Sequence, residues 1–177
     1  MIALFAVGLL SNFAFEPADQ YWQVLFDEIK QFNVSHFGLI TASALIISAL
    51  LTKITQRFYS SPVIYISGCF IIVALGPYMA SQFEINLAVL GIVAYFAFKE
   101  LIRPVISIHL NLNYHEADRA TFLSSYNLTC SIGEVAAGLL AGFTVTMIGI
   151  NNLFVASACV AFIIPIIYVL IRKAKRT

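Results

Sequence analysis

Two carboxylic acids, Glu16 and Asp19, and two amides, Gln20 and Gln23, interrupt an otherwise apolar run in the stretch FEPADQYWQ. In a helix their offsets of three, four and seven residues put all four side chains on one face. An acid facing lipid at mid-span costs about 2.5–3.5 kcal/mol on insertion scales, so this stripe is expected to face protein or water. Pro17 removes one backbone hydrogen bond and is expected to kink the helix there, freeing a carbonyl beside the acids. The alternative is that the helix meets its outer boundary early, which leaves the stripe at the interface with Tyr21 and Trp22 as belt aromatics.

Glu134 is a second acid in apolar surroundings. It lies about 15 residues beyond Arg119, or roughly 22 Å along a helix axis, which is inside hydrocarbon for any choice of boundary. Its carboxylate needs a partner or a proton. Either it loads and releases a proton as a cavity opens, or it hydrogen-bonds a neighbouring helix. Tyr126, Asn127 and Ser131 precede it and extend a polar stripe, and Gly138 with Gly142 form a step at which another helix can pack closely.

Lys99, Glu100 and Arg103 stand three and four residues apart before Pro104, a spacing that permits a small ion network. With Arg119 they are candidates for a cytoplasmic gate latch. Snorkelling side chains that stabilise the interface are the plainer account. His109 and His115 are six apart, a poor spacing for two metal ligands on one helical face, and no Cys or carboxylate framework surrounds them. Cys69, Cys130 and Cys159 lack paired spacing and read as small packing residues. No cofactor is expected. No HExxH, GxSxG, GxxxxGK or Gly-rich dinucleotide turn occurs, so an enzyme is not expected either.

These residues need elements to hold them, and composition says which. The 177 residues are 60% hydrophobic and only 11% charged, and the mean hydropathy is +0.90. Apolar stretches of about 20 residues, the length that crosses the hydrocarbon as helix, recur along the chain. They lack the apolar/polar alternation of a membrane barrel. The expected fold is an all-α membrane protein, one domain over 1–177, with six transmembrane helices near 1–29, 36–57, 61–80, 86–108, 118–148 and 151–173. Ser61-Pro62 and Asp118 are expected to open the third and fifth helices, and Gly149 to close the fifth.

Of the ten Lys and Arg, nine fall on one side if the N-terminus is cytoplasmic: Lys53, Arg57, Lys99, Arg103, Arg119, Arg172, Lys173, Lys175 and Arg176; only Lys30 falls outside. Both termini are therefore expected in the cytoplasm, of a plasma or inner membrane. The basic tail IRKAKR reads as an anchor at anionic headgroups rather than a nucleic-acid site. Asn33 opens an NVS sequon in an external loop, whereas NLT at Asn127 lies in the membrane. A signal peptide is rejected, because the opening apolar stretch has no basic lead and no small-residue cleavage site. Starting directly on apolar residues, the chain is expected to be a piece of a longer one.

QYWQVLFDEI, LLTKITQRF, FKELIRPVISIHLN and above all DRATFLSSYNLTCSIGEVAAGLLAG resemble, in this order, the second half of a major facilitator superfamily transporter. In that family two six-helix halves pair, and the connection before the eleventh helix commonly reads Arg-Ala-Thr and then Leu-Ser. The resemblance covers the whole chain as helices seven to twelve. It departs at LLTKITQR, which keeps Lys53 and Arg57 but not the Gly and Asp common in the corresponding loop of the family. It implies a half bundle whose partner is an N-terminal six-helix half, with a small-molecule site near the midplane between the halves. Secondary active transport is implied, coupled to protons through Glu16, Asp19 or Glu134. Aromatics such as Tyr21, Trp22 and Tyr126 lean toward export of lipophilic compounds by antiport. A six-helix membrane subunit without transport of its own is the competing expectation.

Overall fold

The computed structural model describes residues 2–58, 62–113 and 116–174. Among them are six α-helices and no strand: α1 (Ile2–Val24), α2 (Phe37–Phe58), α3 (Pro62–Gln82), α4 (Ile85–Asn113), α5 (Glu116–Ile148) and α6 (Ile150–Ala174). Helix satisfies every backbone group within its own segment, which is what a chain this apolar requires in lipid. Five of the six, α2 to α6, are long and apolar enough to cross a membrane.

The connections are short. A π-helical turn, Leu25–Ile29, extends α1, and Asn33 accepts from the Ser35 amide at 2.9 Å to cap a 3-10 turn, Val34–His36, before α2. At the same end Lys30 Nζ donates to the Phe83 carbonyl at 2.7 Å, tying this loop to the α3–α4 connection. Gly149 takes φ +79°, a conformation that costs other residues a steric penalty, and so lets α5 pass almost directly into α6. Asp118 is not the residue before α5, because that helix already begins at Glu116. Ser61, His115, Lys175 and Arg176, read above as a helix opening, a histidine poorly spaced for metal and part of the basic tail, lie outside the described residues.

α1 runs through the middle of the bundle. It packs along α5 and α6, while α3 packs on α4 and α6, and α2 on α4. α1 reaches the remaining helices through aromatics: Phe15 stacks on Phe70 of α3 at 5.6 Å, and Trp22 meets Phe37 of α2 at 5.0 Å and Phe96 of α4 at 5.5 Å. Trp22 is therefore buried in the core, neither a belt aromatic nor a cavity wall. The closest helix contacts fall where a side chain would not fit. A Cβ on Gly76 would stand 2.7 Å from the Gly91 carbonyl oxygen, and one on Gly133 would stand 2.6 Å from that of Leu9. Gly138 faces Gln20 and Glu16 side chains instead of a backbone, so the tight α1–α5 approach lies at Gly133.

Pro17 stays inside a continuous α1, as Pro77, Pro104 and Pro165 do in α3, α4 and α6. The carbonyls just before it recruit donors from other helices. Ser157 Oγ of α6 donates to the Ala14 carbonyl, and the Tyr95 hydroxyl of α4 lies 3.0 Å from that of Phe15. Proline in a packed membrane helix is tolerated when neighbours supply such bonds.

Candidate functional site

α4 and α5 scarcely touch; α5 lies along α1, whereas α4 reaches α1 through long side chains such as Tyr95, Phe96 and Lys99. The gap between them is an open groove of about 330 Å³, in the size range of small-molecule sites. Ser11, Asn12 and Phe15 of α1 form its floor. α4 contributes Lys99, Glu100 and Arg103, and α5 contributes Tyr126, Asn127, Cys130, Ser131 and Glu134. Apolar helices would close such a gap; here the lining is polar on three sides, so it stays wet or binds a solute.

α5 builds its wall by helical spacing. Asn127, Ser131 and Glu134 recur at four and three residues and so share a face, all three exposed in the groove. The adjoining face of α5 carries Ile132, Val135 and Leu139, each more than half exposed, as suits lipid or a neighbouring bundle. The acids of α1, Glu16 and Asp19, lie beyond the lining residues, toward the outer end. Gln20 Nε2 donates to Glu16 Oε1, and Glu16 lies beside Gly138, one turn past Glu134, so the acids of α1 and α5 approach one another.

Asp19 and Lys99 form an ion pair, the one salt bridge among the described residues, and each side chain remains about a quarter exposed. Lys99 thus pairs across helices and does not join Glu100 and Arg103 in a network on α4. Nor does it mark the cytoplasmic end: it stands midway along α4, 14 residues from both Ile85 and Asn113. The physical reason is cost. A lysine at that depth needs a counter-charge, and Asp19 supplies one within reach. Glu100 and Arg103 make no ion pair with each other, and both line the groove. Arg119 starts the apolar span of α5 and is not among the groove's lining residues. Gln23 is exposed at the end of α1, outside the lining.

The sequence did not single out Tyr95, Ser11, Asn12 or Cys130 as site residues. Tyr95 is fully buried, and its hydroxyl lies 2.9 Å from Asp19 Oδ1 as well as 3.0 Å from the Phe15 carbonyl. One hydroxyl proton serves these two acceptors. A tyrosine among phenylalanines gives no sequence signal, since only its position opposite Asp19 makes the hydroxyl matter. Tyr95→Phe should cost about 1–3 kcal/mol, because it strips a charge-assisted hydrogen bond from Asp19 while leaving the ring packed; thermal melting of purified protein checks this. Cys130 differs from buried Cys69 and outward-facing Cys159, for it lies between Asn12 and Tyr126 in the groove. No group of His, Cys, Asp and Glu among the described residues could hold a metal ion.

No protein-family model matches the chain. Over 179 aligned positions it is 20% identical to an uncharacterized MFS-type transporter, YxaM of Bacillus subtilis (strain 168). That match covers 99% of this chain and 45% of the relative, so the chain spans less than half the length of the protein it matches. Five helices long and apolar enough to cross a membrane, together with the distant likeness to an MFS-type transporter, point to an integral membrane protein.

Proposed function

We propose that this chain is a C-terminal six-helix half of a major facilitator type secondary transporter, and that its groove is one wall of a solute route. The observation that carries the reading is the polar gap between α4 and α5, with a mid-helix ion pair at its edge. Ionisable groups at that depth mark substrate and ion pathways. The partner is an N-terminal half that faces the groove, with lipid around both. The bundle rocks against that half, opening the groove to each side in turn. Lys53, Arg57, Arg119, Arg172 and Lys173 belong to one end of the bundle, which is assigned to the cytoplasm of a plasma or inner membrane.

Proton coupling is assigned to Glu134 with Glu16. Two carboxylates on facing helices repel one another when both are charged, so one proton or one cationic group between them relieves the repulsion. Asp19 is already neutralised by Lys99 and serves as the fixed charge beside them. Because Trp22 is withdrawn into the core, the aromatic argument for lipophilic export loses one of its three residues.

Proteoliposomes containing the complete transporter test this. An imposed proton gradient should drive solute flux, and Glu134→Gln should reduce the effect of the gradient about tenfold while exchange at equal pH persists. Undiminished coupling in that variant would reduce Glu134 to packing. A complete protein that moves no solute would favour the non-transporting subunit.

A further inference from the structure

The groove is not of one sign along its length. Glu134 lies in its outer part, with Glu16 one turn farther out beside Gly138. Inward, the groove opens into a second cavity of about 410 Å³ lined by Arg103, Pro104, Ile106, Leu123, Tyr126 and Asn127. Arg103 is the charged residue of that inner cavity, its side chain is exposed, and it makes no ion pair among the described residues. Lys99, the other cation in the lining, is engaged by Asp19. The polarity follows: acids at one end and an arginine at the other, neither in an ion pair among the described residues.

A guanidinium stays charged at every accessible pH and presents planar donors matched to a carboxylate or phosphate. In a membrane interior it calls for a counter-anion, and none of the described side chains provides one. Asn127 shares the inner cavity with Arg103, and Glu134 stands seven residues farther along the same helix. The two ends are thus separated by two helical turns, on the order of 10 Å.

We propose that this groove takes an amphoteric solute, one carrying a cationic amine and an anionic group. The anion is held by Arg103 with Asn127 and Tyr126 beside it, and the amine by Glu134. The inference rests on the transport reading and adds the substrate class to it. A purely cationic solute would leave Arg103 uncompensated, and a purely anionic one would face Glu134. Each mismatch leaves a charged group unpaired, which is the strongest form of discrimination a site of this kind has. The Asp19–Lys99 pair contributes no net charge and so keeps the two ends distinct.

Calorimetry on the complete protein in lipid nanodiscs tests the proposal with ω-aminooctanoate, whose charged ends are separated by a comparable distance when the chain is extended. Two analogues carry one charge each: ω-aminooctanamide keeps the amine, and N-acetyl-ω-aminooctanoate keeps the acid. The doubly charged probe should bind at least about tenfold more tightly than either analogue, the value of one charged hydrogen bond. Arg103→Gln should erase its advantage over the amide and Arg103→Lys should restore part of it, whereas Glu134→Gln should erase its advantage over the N-acetyl acid. Equal affinities of the three probes, an advantage that survives Arg103→Gln, or no binding of any probe overturns the proposal. Flux in proteoliposomes separates the two readings. Tight, charge-matched binding without movement would sink transport and leave the amphoteric site standing; movement indifferent to the charge pattern would do the reverse.

Discussion

Lys99→Met should be the most damaging single charge removal in the bundle, because it takes the counter-charge from Asp19 and leaves that carboxyl with the Tyr95 hydroxyl as its side-chain partner among the described residues. Breaking a fully buried pair from one side costs about 3–5 kcal/mol; a quarter exposure to the groove lowers the expectation to about 2–3 kcal/mol. Asp19→Asn made on top of Lys99→Met should recover most of that loss, since the stranded charge goes with it. Melting temperatures of the two single variants and the double variant, measured in one detergent, form the cycle. Additive losses would mean that the two side chains do not interact in the folded protein.

The second large effect is steric. Gly76→Ala places a methyl group 2.5 Å from Tyr95 Cβ and 2.7 Å from the Gly91 carbonyl, and Gly133→Ala places one 2.6 Å from the Leu9 carbonyl. Backbone cannot rotate aside as a side chain can, so α3 must move off α4, or α5 off α1, at about 1–3 kcal/mol or more. Gly133→Ala carries a further consequence, because α5 supplies one wall of the groove and is held almost wholly by α1. Gly38→Ala and Gly68→Ala meet nothing within 4 Å and should be neutral or slightly stabilising through helix propensity, by up to about 1 kcal/mol. Size-exclusion profiles and melts of the four variants would sort them; equal behaviour of Gly76→Ala and Gly68→Ala would remove the close approach of α3 and α4.

Several features were legible from residue order because they depend only on neighbours along the chain. Asn127, Ser131 and Glu134 share a face by helical geometry, and that face does line the groove. Glu16 and Gln20, four apart, are bonded to each other. Reading Lys99, Glu100 and Arg103 in the same way misled, since spacing that permits a pair does not exclude a better partner on another helix. Asp19, 80 residues away, is that partner. Trp22 shows the same limit: its position beside the polar stripe suggested an interface or a cavity, whereas three neighbouring aromatics, from the π-helical turn after α1, from α2 and from α4, enclose it.

Hydropathy and period by themselves determined an all-helical membrane chain, because covering apolar length and satisfying backbone groups in lipid are local requirements that each segment meets alone. Which helices separate to leave a groove, which lysine finds which aspartate, and which groove-lining arginine makes no ion pair among the described residues were decided only by the tertiary structure. Those outcomes depend on the distance between segments remote in the chain, and packing at glycine contacts such as Gly76–Gly91 and Gly133–Leu9 sets that distance.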